Sequence, residues 1–312
     1  MNKNELRLVF MGTPDISASV FEAMILDGYH FAALVAQPDR PVGRKGEIEK
    51  VPTKLVAEKY NIPVYQPLKI RKDYDFLIEI NPDVIITLAY GQIVPEGLLA
   101  IPKYGCLNLH GSLLPKYRGA APIQYALING DKATGMTLME MVKEMDAGKM
   151  YAKKEVIIDE DDNMTSLFTK MADAAKELIL EALPKYLDGE LKGEEQDEKQ
   201  VSICPTIKPE QEKLSLDYTV EEMLGWIRGL SDHPGAYLLL DNQKFKIYKA
   251  KILNHEVTGE IGEIVVADKR GLILQCKNGQ LALLEVQKEG KKRMDYKSFL
   301  NGNQGLLNKK LD

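Results

Sequence analysis

Between Leu6 and Met11 the chain reads Leu-Arg-Leu-Val-Phe-Met, an almost unbroken apolar run, and Gly12-Thr13-Pro14-Asp15 follows it directly. A strand that is apolar on both pleat faces is buried on both, which is the habit of a strand inside a parallel sheet. The turn then gives way to an amphipathic pattern with Ile16, Val20, Ala23 and Met24 on one face, which predicts a helix over 16–27. Thr13-Pro14-Asp15 reads as a capped helix start. Further strands are expected at Phe31–Ala36, Val64–Gln66 and Asp83–Leu88, with helices over 52–60 and 73–80 between them. Alternation of this kind builds an α/β fold with a mostly parallel sheet. The first turn lacks Gly-x-Gly-x-x-Gly, so a dinucleotide site is disfavoured.

The length, 312 residues, suggests two domains. After a strand at 135–141, another at 151–158 and a long helix over 164–187, the polar stretch Gly189–Gln200 reads as a linker continuing through Pro205 and Pro209. The expected division is 1–189, a linker over 190–209, and a second domain over 210–312. That second domain opens with a capping box, Thr219 and Glu222. Five short strands with turns between them then suggest a small β-barrel of OB-like type. The net charge of −5 places any nucleic-acid contact in local patches. Three widely spaced cysteines, Cys106, Cys204 and Cys276, read as reduced thiols. No metal-ligand spacing appears, no run approaches the roughly 18 to 20 apolar residues of a membrane span, and no leader pattern is seen, so a cytoplasmic protein is expected.

The chemistry concentrates between Tyr104 and Pro122. Asn108 and His110 stand two apart on a short strand and so share one face, and Gly111, Pro115 and Gly119 break the chain into a long turn. An amide donor can hold an oxyanion, and an imidazole can move a proton near neutral pH. Together they suit attack on a carbonyl.

Asn108-Leu-His110-Gly-Ser112-Leu-Leu-Pro115, followed by Tyr117-Arg118-Gly119, resembles the signature of folate-dependent formyltransferases. The resemblance implies a Rossmann-like catalytic domain followed by the OB-like barrel. It also implies formyl transfer from 10-formyltetrahydrofolate to the amino group of initiator methionyl-tRNA; no metal and no membrane association are expected from the patterns above, and a monomer is expected. Within that pattern Asn108, His110 and Asp146 (of Met145-Asp146-Ala147-Gly148) match the catalytic residues. Tyr90, Gly91 and Gln92, with Ser112, Leu113, Leu114 and Pro115, match the folate pocket. Arg40, Arg44 and Lys45 lie on the segment similar to a tRNA-reaching loop, and Lys208 matches a linker lysine. Lys291, Lys292 and Arg293 form a basic cluster for which tRNA phosphates are the expected partner. The sequence departs from the family at Glu47 and Glu49, which dilute the positive loop, and at Ser215-Leu216-Asp217-Tyr218, where an Arg and a Trp are usual.

Overall fold

The computed structural model describes residues 3–42 and 46–312. The chain divides into two compact units drawn from interleaved segments: 1–119, 134–157 and 168–204 in one, and 120–133, 158–167 and 205–312 in the other.

The first unit is built on β1 (Leu8–Gly12), α1 (Asp15–Leu26) and β2 (Phe31–Val35), with every residue of β1 buried. Leu8 and Phe10 alternate with Val9 and Met11. Phe10 stacks on Phe21 of α1 and meets Phe31 edge-on, whereas Val9 and Met11 join a cluster with Val35, Ile85, Tyr90 and Cys106. Burial on both faces explains the unbroken apolar run. Next come β3 (Arg40–Val42) and β4 (Glu47–Glu49), a short antiparallel ladder in which Arg40 lies opposite Glu49. The sequence reads there as an irregular loop. Its alternating polar and apolar residues at 47–49 instead pair with 40–42, and all three residues of β4 stay exposed.

Further along are α2 (Pro52–Lys59), β5 (Val64–Tyr65), α3 (Asp75–Ile80), β6 (Val84–Leu88), α4 (Glu96–Leu99), β7 (Cys106–His110) and β8 (Arg118–Gly119). After α5 (Pro122–Ile128) come β9 (Ala133–Glu140), β10 (Met150–Ile157) and α6 (Met164–Leu187). The main sheet has the order β10-β9-β7-β6-β1-β2-β5. From β5 through β7 neighbours are parallel, and β9 runs antiparallel to β7. The strand order reverses at β1, and in such sheets ligands bind at that switch point, beyond the carboxyl ends of the strands, here β1 and β6. β11 (Ile203–Cys204) pairs in parallel with β8.

In the second unit, α7 (Val220–Leu230) starts at the expected capping box: Glu222 N–H donates to Thr219 Oγ1 at 3.2 Å and Thr219 N–H to Glu222 Oε2 at 2.7 Å. The sheet comprises β12 (Ala236–Leu240), β13 (Gln243–Asn254), β14 (Ile264–Asp268), β15 (Gly271–Cys276), β16 (Gly279–Lys288) and the two-residue β17 (Met294–Asp295). Its order is β12-β13-β16-β15-β14, all antiparallel, with β17 on β16. Trp226, Phe245, Leu274 and Phe299 share its core, the last from α8 (Tyr296–Gly302). The segment 308–312 ties the two outer strands together. Leu239 and Asp312 exchange backbone bonds of 2.7 and 3.0 Å, and Ile264 N–H donates to Lys309 O at 2.8 Å. This is how a sheet of barrel type avoids exposed edges.

Candidate active site

The site sits at the carboxyl ends of β1, β6 and β7 in the first unit. The strand ends are locked by short polar residues. Thr13 Oγ1 donates to Tyr90 O at 3.2 Å and accepts from Gln37 N–H at 3.2 Å, and Gln37 Nε2 also donates to Tyr90 O, at 3.0 Å. Thr13 is therefore a clamp between three strand ends. No side chain caps α1, whose N-cap is Pro14. Gly12 is required by close approach: a Cβ there would lie 2.7 Å from Leu88 O and from Ser17 Cβ.

Asn108 and His110 project from β7 on one face, as their spacing demands. His110 is 5% exposed. Its Nε2 lies 2.7 Å from Tyr117 O. A carbonyl only accepts, so Nε2 carries a hydrogen and the tautomer is fixed. The other ring nitrogen, Nδ1, faces Asp146 Oδ2 at 3.6 Å. Asp146 arrives from the turn after β9 with φ +52°, an uncommon conformation for a residue other than glycine. Gly119 N–H donates to the same Oδ2 at 2.9 Å. Gly119 has φ +127°, and a Cβ on it would lie 2.5 Å from Cys204 O, so only glycine serves.

Two supports were not legible as site residues. Gln196 is buried, and its Nε2 donates to Asp146 O and Gly148 O, both at 2.8 Å, while its Oε1 accepts from Arg118 Nε at 2.9 Å. Arg118 also pairs with Glu198 at 2.7 Å. The polar stretch after α6 thus does more than connect: it holds the turn that carries Asp146. Ser202 Oγ accepts from Tyr117 N–H at 2.9 Å, fixing the residue whose carbonyl holds His110.

The residues matched to a folate pocket fall into two groups. Gly91 is exposed with φ +88°, and Gln92, Leu113 and Pro115 are partly exposed. Tyr90, Ser112 and Leu114 are buried. Gln92 Oε1 accepts from Ile70 N–H at 2.9 Å, and Ser112 Oγ donates to Lys116 O at 2.5 Å. The Ser112 hydroxyl is thus spent within the chain, and its carbonyl accepts from Thr137 Oγ1 at 2.6 Å. Burial raises the Tyr90 phenol, and pushes the Cys106 thiol up to about 12. Both stay neutral near pH 7, so Cys106 is no ready nucleophile.

Of the basic residues, Arg40 is exposed on β3, while Arg44 and Lys45 lie outside the described residues. Lys208, Lys291 and Lys292 are exposed in the second unit. Arg293 is engaged differently. Its guanidinium pairs with Asp232 and with Glu285 and lies over the Tyr248 ring, 4.4 Å from the centroid. No group of His, Cys, Asp and Glu among the described residues is arranged to hold a metal ion. No helix among them is long and apolar enough to cross a membrane.

A mostly parallel sheet with its switch point at β1 defines a Rossmann-like α/β domain, and an Asn–x–His strand end with a carboxylate beside the imidazole is an arrangement suited to acyl-group transfer. The chain belongs to the formyl transferase family. The Formyl transferase model matches residues 6–183, and the Formyl transferase, C-terminal domain, model matches 206–304. The chain is 47% identical to the methionyl-tRNA formyltransferase of Lactobacillus acidophilus over 95% of each chain. Among solved structures it resembles an N-formyltransferase from Helicobacter canadensis in complex with folinic acid and dTDP-3-aminofucose. The TM-score is 0.70 at 17% identity, over 91% of this chain and 99% of that one. HypX from Aquifex aeolicus in complex with tetrahydrofolic acid gives 0.67 at 15% identity. That match covers 98% of this chain, which spans about half of HypX (49%).

Proposed function

We infer that this chain transfers the formyl group of 10-formyltetrahydrofolate to the free amino group of methionine on initiator methionyl-tRNA, a step of translation initiation. The acceptor follows from near-full-length similarity to a protein of that activity. The observation that carries the chemistry is the placement of Asp146 Oδ2 3.6 Å from His110 Nδ1, next to Asn108, whose carboxamide makes no hydrogen bond to any described residue.

In the reaction proposed, the amine attacks the formyl carbon, a C–N bond forms, and the carbonyl oxygen becomes an oxyanion. The Asn108 amide N–H donates to that oxygen, as an oxyanion hole requires. His110 Nδ1, with Asp146 alongside, takes the proton lost by the amine and passes it to N10 of the folate as the N10–carbon bond breaks. Nε2 stays bonded to Tyr117 O throughout, so only Nδ1 exchanges protons. The folate pterin lies along Tyr90, Gly91 and Gln92 and is walled by Ser112, Leu113, Leu114 and Pro115. Main-chain groups and shape supply most of its contacts.

Arg40, Arg44, Lys45, Lys208, Lys291 and Lys292 provide phosphate contacts for the tRNA. Arg293 supports its neighbours through its two carboxylate partners. Donor and acceptor are both cytoplasmic molecules, and the chain acts on them as a monomer without a metal. The test is to offer labelled formyl-folate with methionyl-tRNA, an amino-sugar nucleotide, or water alone. Label in the tRNA fraction supports the reading, and label in either other product at a higher kcat/KM overturns it.

A further inference from the structure

Thr87 lies on β6, is 5% exposed, and its Oγ1 is buried without a hydrogen-bond partner among the described residues. Buried hydroxyls are nearly always paired, so an orphan beside a reaction centre needs an explanation. Its position is specific. In the parallel ladder Thr87 is the register partner of Asn108, and Ile85 and Cys106, one pleat earlier, belong to one core cluster, so the two side chains stand on the same face. On the other side Asn108 faces Met139 of β9, which offers no donor of useful strength. Thr87 is thus the polar group that Asn108 meets across the ladder. A β-branched side chain in a strand is restricted at χ1, so the hydroxyl cannot simply swing out to solvent.

We propose that Thr87 is a positioning residue for Asn108: its hydroxyl donates to the Asn108 side-chain oxygen and so turns the amide nitrogen toward the oxyanion. This rests on the oxyanion role of Asn108 given above. A carboxamide has an acceptor end and a donor end. Once the reacting oxygen takes the donor end, the acceptor end points back at the sheet, where the Thr87 O–H meets it. The bond belongs to the reacting geometry and not to the resting one, which is the kind of interaction that raises kcat rather than lowering KM.

The experiment compares full-length wild type with Thr87→Val, Thr87→Ser, Asn108→Ala and the Thr87→Val/Asn108→Ala pair, measuring kcat, both KM values and the melting temperature. Thr87→Val should lower kcat by about 3- to 10-fold, the worth of one hydrogen bond, with each KM within twofold. Its melting temperature should be unchanged or higher, because the resting hydroxyl has no partner to lose. Thr87→Ser should restore kcat, and the double variant should be no slower than Asn108→Ala alone. A Thr87→Val enzyme with wild-type kcat overturns the proposal while leaving Asn108 in its role. So does a loss that tracks the melting temperature and is not rescued by Ser, or one that persists undiminished in the Asn108→Ala background. Wild-type turnover by Asn108→Ala would instead overturn the oxyanion reading itself.

Discussion

Gln196→Leu isolates the link between the segment after α6 and the proposed reaction centre. The substitution keeps the side chain's bulk and deletes three hydrogen bonds, to Asp146 O, Gly148 O and Arg118 Nε. Two neutral bonds are worth about 1 kcal/mol each and the charge-assisted one about 2. Arg118 retains Glu198, and Gln196 is 8% exposed, so water can reach part of the site. A loss of about 3 kcal/mol is expected, or roughly 6–12 °C in melting temperature for a unit of this size. The catalytic consequence is separate. Asp146 holds φ +52°, a conformation that costs on the order of 1–3 kcal/mol and persists only when its surroundings impose it. Freed of Gln196, the turn relaxes about its remaining tie, Gly119 N–H to Oδ2, and the carboxylate shifts relative to Nδ1. A displacement of about 1 Å is enough for a 10- to 100-fold fall in kcat. Thermal melting and steady-state formyl transfer read the two effects. A variant that melts within 2 °C of wild type and turns over within twofold would refute the reasoning. A large melting loss with kcat intact would refute its catalytic half.

Gly119→Ala places a methyl 2.5 Å from Cys204 O at φ +127°, and should lower the urea midpoint by an amount equivalent to at least about 2 kcal/mol. An unchanged midpoint would mean the β8–β11 contact is loose. Lys291→Ala with Lys292→Ala should weaken methionyl-tRNA binding and flatten its salt dependence by about one unit of slope per lost phosphate contact, with no change in melting. Arg293→Ala should instead lower the melting temperature, because it strands Asp232 and Glu285; the reverse pattern would exchange the roles. Glu221, on the first turn of α7, is held at about 2 by hydrogen bonds from His255 first and Asn278 next, below its ordinary 4.5. The unfolded chain therefore takes up that proton first as pH falls. The contribution is complete above about pH 5 and is lost toward pH 2. Glu221→Gln should make the acid limb of a pH–stability curve shallower, and an identical limb would contradict the assignment.

What the sequence discloses and what it hides divide along a physical line. Burial and period are local, so β1, β6, the 24-residue α6 and the shared face of Asn108 and His110 are readable from the order of residues. The capping box at Thr219 is legible for the same reason, since its partners are three apart. The anchors of the centre are not local. Gln196 lies 50 residues from Asp146, in a stretch whose composition looks solvated, and only the folded chain brings them together. His110 is fixed by a main-chain carbonyl, which no side-chain pattern announces. Thr13 misleads because Thr-Pro-Asp suits a helix start, yet its hydroxyl is spent across strand ends. The pairing of 308–312 with β12 and β14 and the helix at 296–302 leave no periodic trace either.

The most direct measurement is the single-turnover rate of Asn108→Ala with saturating 10-formyltetrahydrofolate and methionyl-tRNA, at equal melting temperature and donor affinity. Loss of one oxyanion donor predicts a rate lower by about 10²–10³. A rate within a few-fold of wild type would show that the formyl oxygen is held by some other group and would remove the basis for this active site.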